Sequence, residues 1–144
     1  LLLLIVSMLT LGSALDNSGA LALIVAKVSP LLSTVQPIVA LALVYTLTSI
    51  LTELVTNNAV AVLLAPIAAG VAIQLGLDPR PFVVAVMFGA SASFATPIGY
   101  QTNTLVYNAG GYRFTDFLRI GIPMNIITGA ATVLLIPLIW PLVP

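Results

Sequence analysis

The 144-residue sequence contains no cysteine and no histidine, and only four basic and four acidic residues. Without thiols or imidazoles there is no disulfide, no His/Cys zinc site, and no His- or Cys-based catalysis. With a net charge of zero the chain carries no basic footprint for nucleic acid. Charged residues make up 6%, against roughly 25% in soluble globular domains. Apolar residues take their place: 60% of the sequence is hydrophobic and the mean hydropathy is +1.21. The chain therefore reads as an all-α integral membrane protein. With no acid pair visible on facing helices, an intramembrane enzyme has few groups for general acid–base chemistry, and no cofactor is expected.

Apolar segments fall at 1–28, 37–52, 58–77, 81–96 and 119–141. Crossing the hydrocarbon core takes about 20 helical residues, a length the first and last segments meet. The opening L-L-L-L-I-V has no cationic flank, so it reads as the start of a truncated membrane helix rather than a signal peptide. The closing W-P-L-V-P reads as a C-terminus beyond an interfacial Trp. Within 1–28, L-G-S-A-L-D-N-S-G puts Asp16 and Asn17 in mid-segment. A charge there should face protein or water, or mark a helix break near the interface. There is no internal repeat, soluble linker or low-complexity tract.

Segment 37–52 corresponds to roughly 24 Å of helix, short of a core of about 30 Å. It ends in T-E-L-V-T-N-N before the chain turns apolar again, and the next segment, long enough to span, has Pro66 in its middle. Two readings compete for 37–77: two full spans with a turn in water, or a re-entrant hairpin whose polar tip stops near the midplane. Segment 81–96 runs into S-F-A-T-P-I-G-Y-Q-T-N-T-L-V-Y-N. Pro97 removes a donor and Gly99 adds backbone freedom, so both disfavour continuous helix. Residues 81–107 then form one span broken between about Thr96 and Asn103. Non-helical backbone at membrane depth is tolerated only where it is buried in protein or lines a cavity.

Thr52–Asn58 and Thr96–Asn103 are two polar interruptions in neighbouring segments. Thr and Asn oxygens, with carbonyls freed at a turn, suit a hard cation such as sodium. An apolar helix beginning at Asn58, and another near Gln101–Asn103, would offer unpaired N–H groups to an anion. Facing half-helix N-termini with unwound carbonyls are the pattern of secondary-transporter sites. Ordinary helix capping by Thr and Asn explains either tip alone. A carbonyl left unpaired at this depth costs several kcal/mol, so sodium is expected to order the broken loop. Glu53 is the one charge between Lys27 and Asp78, either a titrating group or an acid hydrogen-bonded within the tip.

T-E-L-V-T-N-N-A-V-A-V-L-L-A-P-I, S-A-S-F-A-T-P-I-G-Y-Q-T-N-T-L-V-Y and G-G-Y-R-F-T-D-F-L-R-I-G-I-P-M-N, in this order, resemble the divalent anion:sodium symporter family. The resemblance starts at L-G-S-A-L-D-N-S-G and covers nearly the whole chain. It implies the C-terminal inverted repeat of a sodium:sulfate/dicarboxylate symporter-like permease, with 1–28 a transmembrane helix, 37–77 a re-entrant hairpin, 81–107 a broken helix and 119–141 a transmembrane helix. By position it implies sodium ligands at Thr52, the Val55 carbonyl, Asn57 and the Gly99 carbonyl. Substrate contacts fall at Thr56, Asn57, Asn58, Gln101 and Thr102.

Thr56-Asn57-Asn58 replaces the family's Ser-Asn-Thr, and Gln101-Thr102 replaces paired prolines. The extra donors lean toward sulfate over a dicarboxylate. The expected partners are the anion, sodium, the bilayer, the missing N-terminal repeat and a second copy in a homodimer, in the cell (inner or plasma) membrane. A dicarboxylate symporter, a sodium/proton antiporter and an arsenite permease share the scaffold. Arg113 and Arg119 oppose Lys27 and Arg80 in the loops, so the positive-inside rule gives no orientation. The resemblance implies that the Arg113–Arg119 loop is cytoplasmic.

Overall fold

The computed structural model describes residues 3, 6–7, 10, 13–14, 17–32 and 34–143. Among them there are six helices and no strand: α1 (Ala20–Leu32), α2 (Pro37–Thr52), α3 (Asn57–Gln74), α4 (Pro79–Ser91), α5 (Gln101–Gly110) and α6 (Phe114–Ile139). Two of these, α3 and α6, are long and apolar enough to cross a bilayer. The all-helical membrane class expected from composition is the class observed.

Segment 1–28 is interrupted at the end of L-G-S-A-L-D-N-S-G, where a helix break is one of the two readings. The chain turns at Ser18 and Gly19, where Gly19 takes φ +74°, and α1 then runs to Leu32 through Pro30. A positive φ is open to glycine at little cost. Asp16 lies outside the described residues, whereas the Asn17 side chain donates to Ser13 Oγ at 3.2 Å.

Helix α2 starts with Pro37 in its first turn after an extended Gln36, a position where the missing N–H costs nothing. Its buried residues Leu41, Tyr45, Thr48 and Thr52 repeat at helical spacing and make one stripe. Helix α3 begins at Asn57, one residue before the expected start, and ends at Gln74. Its end is a Schellman turn: Leu77 N–H reaches Ala72 O at 2.9 Å and Gly76 N–H reaches Ile73 O at 3.1 Å, with Gly76 at φ +70°. Asp78 then caps α4, its Oδ1 accepting from Arg80 N–H at 2.9 Å.

Helix α4 lies against both α2 and α3 and buries Phe82, Ala85, Val86, Gly89 and Ala90. Phe82 and Val86 have no exposed surface. Gly89 permits the close approach of α2, since a Cβ there would stand 3.0 Å from Thr48 Cβ. Helix α1 packs on α3 through Val25 beside Gly70, and Ser29 Oγ donates to Gln74 Oε1 at 2.6 Å. Helix α6 covers α2 and α4.

The span over 81–107 is broken, and the break is earlier and longer than Thr96–Asn103. Helix α4 stops at Ser91, Ala92–Tyr100 is irregular, and α5 resumes at Gln101. The physical reason is twofold. Pro97 keeps its preceding residue out of the helical region. The N–H groups of Ala95 and Thr96 turn to a side-chain carboxylate instead of to α4 carbonyls. Gln101, Thr102 and Asn103 consequently belong to the first turn of α5 rather than to the loop. At the other end, α6 begins at Phe114 rather than 119, where the Asp116 carboxylate accepts from Arg113 N–H at 2.8 Å.

Candidate functional site

Residues 53–56 link α2 to α3, and residues 92–100 link α4 to α5. The two links meet. An ideal Cβ on Gly99 would stand 3.0 Å from Thr52 O and would overlap Ser93 Oγ, so the hairpin tip closes directly onto the backbone of the break. Thr96 Oγ1 donates to Glu53 O at 3.0 Å and accepts from Gly99 N–H at 3.1 Å.

Glu53 holds the junction together. Its side chain is buried and turned into the break. Oε1 accepts from Ala95 N–H at 2.9 Å and Asn125 Nδ2 at 2.7 Å; Oε2 accepts from Thr96 N–H at 2.8 Å and Ser93 Oγ at 3.4 Å. An ionised carboxylate is acceptor-only, and all four of these neutral groups donate. Three carbonyls of the break also have side-chain partners. Asn103 Nδ2 donates to Ser93 O at 2.9 Å and Thr96 O at 3.1 Å, and Thr104 Oγ1 donates to Pro97 O at 2.7 Å. Protein groups thus brace the Ala95 and Thr96 donors and the Ser93, Thr96 and Pro97 acceptors of this loop.

Of the residues anticipated as sodium ligands, Thr52 and Gly99 come together, but through the Thr52 carbonyl. The Thr52 hydroxyl is fully buried and donates to Ala90 O at 2.7 Å. Val55 is exposed on the tip and Asn57 half-buried beside it. Asn57 Oδ1 accepts from Asn58 N–H at 2.8 Å. Among the anticipated substrate contacts, Thr56 and Asn58 are exposed on the tip, and Gln101 and Thr102 are exposed on the first turn of α5. The contacts that join tip to break run through residues 93–99. Gln101 and Thr102 lie just beyond them.

Two helix N-termini open at this junction. Thr56 precedes α3 and Tyr100 precedes α5, both in extended conformation and neither with a side-chain cap. Plain capping by Thr56 is therefore not what this residue does. The first-turn N–H groups of a helix lack intrahelical partners and carry the positive end of its dipole; that of Asn58 is taken by Asn57 Oδ1, and the remaining ones are donors that could meet an anion beside carbonyls for a cation.

Asn125 escaped the reading of the sequence. It lies on α6 between Gly121 and Gly129, four residues from each, so the three share one helical face. A Cβ on Gly121 would overlap the Phe94 carbonyl, and one on Gly129 would stand 2.8 Å from Tyr45 Cε1. The two glycines let α6 approach the break and α2, and Asn125 then reaches Glu53. A polar amide in a long apolar helix was the available signal. Beside this face, Tyr45, Ser49, Glu53, Asn125 and Gly129 line a cavity of about 700 Å³ between α2 and α6. The Tyr45 hydroxyl and Asn125 Oδ1 are buried with no hydrogen-bond partner among the described residues.

The chain is similar to a protein named an uncharacterized transporter in Synechocystis, 47% identical over 141 residues, which span 98% of this chain and 23% of that protein. It is similar to sodium/sulfate cotransporter 1 of Chlamydomonas reinhardtii, 44% identical over 87 residues, 60% of this chain and 10% of that protein. With the Na(+)/dicarboxylate cotransporter 3 of Mus musculus it shares 28% identity over 111 residues, 77% of this chain and 18% of that protein. The chain thus spans a quarter or less of the length of these relatives. The family model described as citrate transporter (CitMHS) matches residues 1–89. This is more than half of the sequence, and the chain belongs to the citrate transporter family.

Proposed function

We propose that the chain is part of a sodium-coupled secondary transporter that carries a small divalent anion, sulfate first, across the cell membrane. The observation that carries this reading is the junction itself. The Thr52 carbonyl meets Gly99, and two uncapped helix N-termini open beside them. Carbonyls suit the cation, and unpaired N–H groups with a positive dipole suit the anion. Sodium is held by Thr52, the Val55 carbonyl, Asn57 and the Gly99 carbonyl. The anion is met by Thr56, Asn57, Asn58, Gln101 and Thr102. The short α2 and polar tip support a hairpin that enters the bilayer without crossing it, with tip and break near the midplane.

Sequence relatives named sodium/sulfate cotransporters support sulfate and sodium. The second reading is a carboxylate substrate, favoured by the family description and by the dicarboxylate relative. In either case the protein moves its substrate without transforming it. A further repeat of the full-length chain completes the site, and the transporter is a homodimer. Uptake of labelled sulfate, succinate and citrate by the full-length protein, with and without sodium, tests the reading. Sodium-dependent sulfate uptake is expected; uptake indifferent to sodium would overturn the coupling, and uptake of the carboxylates alone would move the substrate to the second reading.

A further inference from the structure

We propose that Glu53, acting through the Thr96 hydroxyl, is the positioning residue of the cation site, and that Asn125 anchors it to α6. The inference rests on the sodium-coupled reading above and assigns a role that reading leaves open.

Glu53 is 8% exposed, and a buried carboxylate is costly unless its oxygens are hydrogen-bonded. Here they are, by groups that no neutral side chain could satisfy equally. The adjacent N–H groups of Ala95 and Thr96 each need an acceptor, one on each oxygen. The Asn125 amide donates to the oxygen that Ala95 uses. A glutamine in this place would turn an NH₂ toward one of those donors. Hydrogen bonds to an ionised acceptor are roughly twice as strong as neutral ones, which suits a contact that must hold an irregular loop in register.

The relay to the cation site is explicit. The Thr96 hydroxyl donates to the Glu53 carbonyl at 3.0 Å and accepts from Gly99 N–H at 3.1 Å. One side chain thereby couples the backbone next to Thr52 to the backbone of Gly99. Ser93 adds a second strut, its hydroxyl lying 3.4 Å from both Thr52 O and Glu53 Oε2. The separation of the two backbones that face the cation is thus set by Glu53, Ser93 and Thr96, none of which needs to touch the ion. The four donors on the carboxylate are neutral, so its charge stays uncompensated by them. A negative charge so close in a region of low dielectric favours a cation at the junction.

The test measures sodium-driven uptake by the full-length protein as a function of sodium, and of anion at saturating sodium. Glu53→Gln should raise the half-saturating sodium concentration by roughly tenfold or more, the effect of losing about one charge-assisted hydrogen bond. The anion half-saturation at saturating sodium should stay within about twofold, a shift below the tenfold that 1.4 kcal/mol produces. Thr96→Val should shift sodium in the same direction, and Thr96→Ser, which keeps the hydroxyl, should restore it. A residue that only stabilises the fold would lower the amount of protein and the maximal rate, leaving sodium half-saturation in place.

An unshifted sodium curve in Glu53→Gln, or equal shifts for sodium and anion, overturns the inference while leaving the function standing. If Glu53→Gln does not reach the membrane, the Thr96 pair decides: no difference between Val and Ser overturns it. A wild-type protein indifferent to sodium overturns the function reading and this inference with it.

Discussion

A Cβ on Gly99 would lie 3.0 Å from the carbonyl oxygen of Thr52, so the tip between α2 and α3 and the irregular backbone between α4 and α5 meet at a residue with no side chain. Gly99→Ala should force the two apart, because its Cβ would also overlap Ser93 Oγ. Overpacking of this kind costs roughly 1–3 kcal/mol. Expected is a rise of about tenfold or more in half-saturating sodium, read from uptake curves of the full-length protein, each 1.4 kcal/mol being a factor of ten. Uptake curves that superpose with wild type would show that the carbonyl separation at Gly99 has no bearing on the cation.

Asn57 stands where both ligands are proposed to bind. Its amide offers an acceptor oxygen and a donor NH₂; the oxygen also accepts from Asn58 N–H. Asn57→Asp retains the acceptor but sets a negative charge against the anion, and like-charge juxtaposition costs several kcal/mol. Anion half-saturation should rise far more than that of sodium, while Asn57→Ala should weaken both. Equal kinetics for Asp and Asn at this position would remove the residue from the anion site.

Thr102 is exposed on the first turn of α5. Thr102→Val keeps the shape and deletes the hydroxyl, so anion affinity should fall by roughly 1–3 kcal/mol if that hydroxyl meets the bound anion. Sodium affinity should change less. Titration of the anion into the purified transporter at fixed sodium reads this out, and an unchanged affinity would assign Thr102 to helix surface alone.

The N–H groups of Ala95 and Thr96 donate to the Glu53 carboxylate. Their hydrogen exchange should be slow with and without sodium, in contrast to the expectation that sodium orders this loop. Exchange at 93–97 that is fast without sodium and slow with it would show that the brace forms only when the ion binds.

Gly121 on α6 faces the backbone of Phe94 and Ala95. Because backbone cannot swing aside as a flexible side chain can, Gly121→Ala should displace α6 and weaken the Asn125–Glu53 contact. A loss of roughly 1–3 kcal/mol is expected from overpacking, seen as a lower melting temperature of the purified full-length protein. Gly129→Ala meets the edge of the Tyr45 ring, 2.8 Å away at Cε1, and should cost less because a ring can shift. Equal stability of both variants and wild type would contradict the close packing of α6.

Composition by itself settled the class: a chain with 6% charged residues and 60% hydrophobic ones cannot support a water-facing surface on every side, and helices are how such a chain satisfies its backbone. Local chemistry also settled where regular structure fails. Pro97 and Gly99 marked the break, and the polar run at Thr52–Asn58 marked the tip, because backbone restrictions and unpaired groups act within a few residues. The extent of the break was beyond local reasoning, since the N–H groups of Ala95 and Thr96 leave α4 for a carboxylate more than 40 positions away in sequence. Glu53 could be recognised as an unusual charge, but its partners could not. They lie on two elements, the break after α4 and helix α6, and only the packing of α2, α4 and α6 brings them within hydrogen-bonding range. Asn125 shows the same limit from the other side. It was not singled out in the sequence, and although its spacing puts it on one helical face with Gly121 and Gly129, nothing in that spacing says which neighbour the face meets. Contact between distant segments depends on how whole surfaces fit, and that is decided by tertiary packing.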